Sequence, residues 1–183
     1  MTLALATAAA VRPVLKVAWE TPLYLSTEEA LAISRAADLV MGDLRFGPGL
    51  CAQELAGVAD YWAAATAAAA VLARQGRLLP RHTAVPGHMD CCTKPALERL
   101  AALAPGARVH LNTSFLDGGR TLGADEREAA LAWARAKGLR PVEAALGEIP
   151  PRSPLPARTM TMVVTTDGRL LVPEQRQWMA TAA

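Results

Sequence analysis

At 183 residues the chain is long enough for one well-buried core and short for two. Apolar residues make up 52% and charged residues 20%, which excludes wholesale disorder, and a net charge of +2 is too mild to name a partner. Only 4% is aromatic, so alanine supplies much of the apolar count and the core is expected to be built from closely approaching helices.

The charge is unevenly spread. Residues 1–60 balance at −3 and residues 74–108 at +4, where Arg74, Arg77, Arg81, Lys94, Arg99 and Arg108 form either a basic face or scattered solvated charge. Cys51, Cys91 and Cys92 are an odd count, and a bond between the adjacent pair would be strained. A reducing, cytoplasmic setting is therefore expected, or a virion for a phage-encoded chain. The alanine, arginine and proline bias suits a high-GC bacterium, its phage or its plasmid. Met1 to Val11 lacks the early positive charge of a secretory signal, and Tyr61 to Ala73 is too short for a bilayer, so no membrane association is expected.

In chain order, Val14 to Trp19 reads as a strand, interrupted by Glu20-Thr21-Pro22 and continued by Leu23 to Leu25. Ser26 and Glu29 make a capping box, so a helix should start at Thr27 and run to Gly42. Gly47-Pro48-Gly49 is a turn before the longest helix, Leu50 to Gln75, whose apolar residues run all round and predict burial on every side or an oligomer contact. Gly76 stops it. Leu78 to Cys92 lacks periodicity and contains Pro80, Pro86 and Gly87, so it reads as a loop. Thr93 should cap a short helix to Leu103, with Pro95 in its first turn.

Val109 to Phe115 reads as a strand and Asp117-Gly118-Gly119 as a turn. Ala124 to Lys137 has acidic residues at its start and basic ones at its end, a charge order suited to a helix. Pro141 to Leu146 is expected to add further helical turns. Four prolines between Ile149 and Pro156 make a stiff linker. Thr159 to Thr166 and Arg169 to Val172, joined by Asp167-Gly168, make a hairpin. The expected organisation is one α+β domain: an alanine-rich helical core over residues 1–148, a linker at 149–158, and a hairpin and tail at 159–183 packing on that core.

Reactive residue types concentrate in one place. His82, His88, Asp90, Cys91 and Cys92 lie close together, and imidazole and thiolate suit zinc, although the spacing matches no zinc motif and adjacent cysteines point apart. Cys91 near a helix start, with His88 or His82 as its base, is a candidate nucleophile. The plainer alternative is buried thiols beside surface histidines.

A second constellation is the helix pair Ala130 to Leu146 with the hairpin as a wing. Arg135, Lys137, Arg140, Arg152 and Arg158 are its candidate phosphate contacts, but no residue of 141–146 suits a base edge. Three readings follow. The first is a non-enzymatic structural or assembly subunit with a protein partner or its own copies and no cofactor. The second is a nucleic-acid-associated regulator, and the third is a thiol- or zinc-dependent enzyme using residues 82–92.

Overall fold

Five strands pair in the order of the chain, and every pair is parallel. The computed structural model describes residues 2–11, 16–113 and 121–143, with the strand segments 163–164 and 170–171. The strands are β1 (Ala18–Thr21), β2 (Leu39–Asp43), β3 (Leu78–Thr83), β4 (Arg108–Asn112) and β5 (Arg140–Glu143). Between them run α2 (Thr27–Ala36), α3 (Cys51–Ala56) with α4 (Tyr61–Arg74), α5 (Lys94–Leu103) and α6 (Ala124–Ala136). The first helix, α1 (Thr2–Val11), packs on α2.

Parallel neighbours must be joined by crossovers, and these are right-handed. Strands laid down in chain order therefore send every crossover helix to one face. The contacts agree, since α2 meets α4, α4 meets α5, and α5 meets α6. Val40, His82, Val109 and Leu111 alternate onto that covered face and are buried, with Ile33, Ala65, Ala68, Leu72, Leu97 and Leu100 of the helices packed over the sheet. On the opposite face the register aligns Glu20 with Met41, Asp43 with Arg81, Arg81 with His110, and Thr83 with Asn112. Among the described residues no helix covers this second, polar row.

The mixture of helix and strand expected from the sequence is present, and so is the terminal hairpin, where Val163 pairs with Leu171 and Val164 with Leu170 as β6 (Val163–Val164) and β7 (Leu170–Leu171). The linker prolines and the turn at Asp117 lie outside the described residues. The capping box forms as expected: the Ser26 hydroxyl accepts from the Glu29 amide, and the Glu29 carboxylate accepts from the Ser26 amide. Gly76 and Gly138 take positive φ after α4 and α6.

Several boundaries differ. The strand expected from Val14 starts at Ala18 and includes Glu20 and Thr21, while Leu23 adopts a left-handed φ of 64° instead of continuing it. The helix from Thr27 ends at Ala36, and Gly42 lies within β2, where an added Cβ would stand 2.7 Å from Leu23 and 2.8 Å from Leu78. The single long helix is two, divided at Gly57, whose φ of 70° ends α3.

The α4 helix is also not buried all round. Ala65, Ala68 and Ala69 are inside, while Ala63 and Ala67 face solvent, because an alanine favours helix without needing burial. The stretch expected as a loop contains β3. Its Pro80 is tolerated because β3 pairs with β4 only over Arg81–Thr83, beyond the missing N–H. The helical turns expected after Pro141 are the edge strand β5, which removes the helix pair on which the DNA-reading hypothesis rested.

Three buried polar side chains tie the strand ends together. Asp43 accepts from the Thr83 amide at 2.9 Å and from its hydroxyl at 2.7 Å. The Tyr61 oxygen accepts from the Arg45 amide at 2.9 Å and faces the Pro22 and Asp43 carbonyls at 2.9 and 3.0 Å. His82 lies 2.7 Å from the Leu44 carbonyl through Nδ1 and 3.0 Å from the Thr93 hydroxyl through Nε2. A carbonyl only accepts, so Nδ1 carries the proton and Nε2 accepts from Thr93. None of the described helices is long and apolar enough to cross a membrane.

Two outcomes follow from this packing. Ala68→Glu buries a charge among α2, α4 and the sheet and should cost roughly 3 kcal/mol or more, whereas Ala67→Glu should change stability by less than about 0.5 kcal/mol. Urea unfolding of both variants checks this, and equal losses would place the helix differently.

The second outcome concerns pH. Burial holds the His82 pKa below the ordinary value of 6.5, with Arg45 adding to it and the Leu44 carbonyl and Asp43 opposing. Burial and Arg81 lower His110 in the same direction, against Asp43 and Glu20. The unfolded chain then binds protons that the folded chain does not, so stability is full at neutral pH and falls as the pH drops below about 6.5. His82 contributes a slope of up to about 1.4 kcal/mol per pH unit, and His110, less buried, a smaller share. Urea midpoints from pH 8 to pH 5, measured in chelator, should decline through that range; a flat profile would contradict the assigned states.

Candidate metal centre

Four chemically relevant side chains lie in the segments that follow β2 and β3 at the C-terminal edge of the sheet, where open α/β folds place their ligands. The segment after β2 turns at Gly47-Pro48-Gly49 and enters α3, whose first residue is Cys51. The segment after β3 makes a π-helical turn, Met89–Thr93, before α5. Both the Cys92 and Thr93 amides donate to the His88 carbonyl, at 3.0 and 3.2 Å. Such turns are uncommon and recur at functional sites. Because β2 and β3 are neighbours in the sheet, the two loops meet.

At the meeting point Cys51, His88, Cys91 and Cys92 converge, with one donor atom from each lying within 4.8 Å of the others. Cys91 Sγ is 3.4 Å from His88 Nδ1. Cys51 and Cys92 are buried, His88 is half-buried and Cys91 is exposed. The contact is close enough to demand glycine on one side: a Cβ on Gly47 would stand 1.8 Å from the Cys91 carbonyl oxygen.

All three cysteines are free thiols. Partial burial, then the Cys51 side chain, pushes the Cys91 thiol up, and burial does the same to Cys92 against the pull of the Gly47 N–H. A raised thiol is a poor nucleophile at neutral pH. A cation at their centre reverses the balance, since a metal holds its coordinating thiols as thiolates.

Of the residues singled out in the sequence, His88, Cys91 and Cys92 are brought together here. His82 and Asp90 are not: both His82 nitrogens are engaged as described, and Asp90 pairs with Lys94 at 2.5 Å. Thr93 does not cap α5 with its side chain, because its hydroxyl serves His82. Cys51 was missed, being far from the others in sequence. One signal was available. His88, Cys91 and Cys92 stand at i, i+3 and i+4, the spacing of one helical face, and a π turn keeps adjacent cysteines close enough to share a centre.

A row of polar side chains runs along the sheet face that no described helix covers. Asp43 is nearly inaccessible and takes the Arg45 guanidinium at 2.9 Å, with Arg81 Nε at 4.0 Å, too long for a hydrogen bond. Arg81 also pairs with Glu20. Arg45 Nε, Arg81 Nε and His110 Nδ1 are buried atoms without a hydrogen-bond partner.

The candidate phosphate contacts do not form a comparable group. Arg135 pairs with Glu128 at 3.6 Å, Lys137 pairs with Glu98 at 2.9 Å and lies over the Trp133 ring, and Arg140 Nε donates to the Gly106 carbonyl. Arg152 and Arg158 lie outside the described residues.

No family model matches the chain. A curated protein of Methanocaldococcus jannaschii, described as Uncharacterized protein MJ0674, is 25% identical over 95 residues, which make up 52% of this chain and 28% of that protein. The chain thus spans little more than a quarter of the length of the curated relative it matches. Among solved structures it is similar to a domain of pyruvate-formate lyase-activating enzyme from Bacteroides vulgatus, with a TM-score of 0.64 and 15% identity over 79% of this chain and 91% of that domain. At that identity the likeness is one of fold. The expectation of a structural or assembly subunit without a cofactor rested on the lack of an active-site constellation. It is corrected by the four converging donors and by a fold shared with an enzyme's domain.

Proposed function

We propose that the chain is a metal-binding domain of an enzyme, in which Cys51, His88, Cys91 and Cys92 hold one tetrahedral ion beside the polar sheet face that receives the substrate. The observation that carries this reading is the convergence of three sulfur donors and one imidazole nitrogen, from the segments after β2 and β3, within 4.8 Å. Metal–ligand distances of about 2.0–2.3 Å put tetrahedral donors roughly 3.3–3.8 Å apart, so the group needs only a small contraction to close on zinc. Thiolate-rich sets also take iron as iron–sulfur clusters, but several irons would require the cysteine sulfurs to spread.

Four protein ligands leave no open position, so the ion orders the loops and makes no bond to substrate. Substrate binding falls to the half-buried side chains of Arg45, Arg81 and His110, whose unpaired nitrogens are themselves shielded from solvent. Three close, unbridged thiols fit a reducing, cytoplasmic setting. A second reading is favoured by the likeness over 91% of the solved domain: a domain of an activating enzyme, whose substrate is another protein.

The expected result is about one equivalent of zinc retained through desalting under reducing conditions. Cobalt substitution should give the absorption bands of a thiolate-rich tetrahedral site. Because metal binds the folded chain, chelation should remove roughly 4 kcal/mol of stability at free metal about a thousandfold above Kd. Cys51→Ser and Cys92→Ser should each weaken binding by more than about 100-fold, beyond the usual effect of losing an outer partner. Iron with acid-labile sulfide would replace the single ion by a cluster. Protein that retains no metal and takes up no cobalt would sink the proposal.

A further inference from the structure

We infer that His82, which is not a ligand, is a positioning residue that sets the spacing of the two ligand-bearing loops; the inference rests on the metal reading above. His82 sits on a central strand and is 0% exposed. Its two ring nitrogens point to opposite halves of the site. Nδ1–H donates at 2.7 Å to the Leu44 carbonyl, which opens the segment leading through Gly47 to Cys51. Nε2 accepts at 3.0 Å from the hydroxyl of Thr93, which closes the turn that carries His88, Cys91 and Cys92.

An imidazole ring has a fixed separation between its nitrogens, so these two bonds hold the segments at one distance. That distance has little slack, since Gly47 already approaches the Cys91 carbonyl too closely to accept a Cβ. An apolar side chain of similar volume would fill the space but leave a buried carbonyl and a buried hydroxyl unpaired and the two loops unlinked. Hydrogen bonds made directly to a ligand are commonly worth about 10- to 100-fold in metal affinity. His82 acts one residue further out, through Leu44 and Thr93, so its effect falls at or below the lower end of that range.

The test measures cobalt and zinc affinity by chelator competition, with the cobalt spectrum, on wild type and three variants. Circular dichroism of the metal-free proteins establishes that each folds. His82→Asn keeps a donor for Leu44, Thr93→Val removes only the hydroxyl, and His82→Leu removes both bonds. Affinity should fall by a few-fold in the first two and by roughly 10-fold in the third, with altered cobalt bands. If His82→Leu does not fold, Thr93→Val carries the comparison.

Wild-type affinity and spectrum in all folded variants, with only stability reduced, would make His82 an ordinary core residue and overturn the inference. Wild-type protein that binds no cobalt would instead overturn the metal reading, and this inference with it.

Discussion

Right-handed parallel crossovers are the constraint on which the rest of the structure depends. With strands in chain order, each crossover repeats the same turn, so the helices gather on one face and the strand C-termini on one edge. Cys51 follows β2 and the other three donors follow β3. Sequence separates them, but adjacent parallel strands deliver their loops to the same place. Among the described residues the same geometry puts no helix over the opposite face, where Asp43, Arg81, Thr83 and His110 stand beside Met41 and Leu79; parallel sheets are normally covered on both sides.

Buried polar bonds then convert proximity into a defined site. Asp43 joins β2 to Thr83, Tyr61 joins the ends of β1 and β2 to the start of α4, and His82 joins both loops to β3. Each is satisfied by partners that are themselves buried or at strand ends, as the cost of burying polar groups requires. The exceptions are Arg45 Nε, Arg81 Nε and His110 Nδ1, which are buried without a partner. Burial holds the Cys91 and Cys92 thiols in the neutral form, a coordinated cation would hold them as thiolates, and it is the convergence of four donors that argues for a metal. Under the proposed function, a closed four-ligand centre would hold the loops and leave substrate chemistry to the residues around Arg45, Arg81 and His110.

Much of the local structure was legible. Ser26 with Glu29 announces α2, the charge order from Asp125 to Arg135 announces α6, and Gly76 and Gly138 mark helix ends. The concentration of histidine and cysteine over residues 82–92 includes His88, Cys91 and Cys92, three of the four converging donors. What misled was reading that segment as a loop. Pro80 suggested no strand, and once β3 was missed, the helical spacing of His88, Cys91 and Cys92 lost its meaning. The strand at Arg140–Glu143 failed in the same way, because a four-residue edge strand with a proline carries almost no periodic signal.

The sequence by itself determined the starts of α2 and α6, the helix ends at Gly76 and Gly138, the terminal hairpin and the mixed fold class, because these depend on residues within a few positions of one another. Tertiary structure alone decided that β2, β3 and β5 are strands, that Ala67 is exposed while Ala68 is buried, and that Cys51 joins the group at 88–92. These are consequences of pairing between distant segments. Short parallel strands draw their stability from neighbours on both sides, and their order is fixed by the handedness of the crossovers, which no local pattern of residues records.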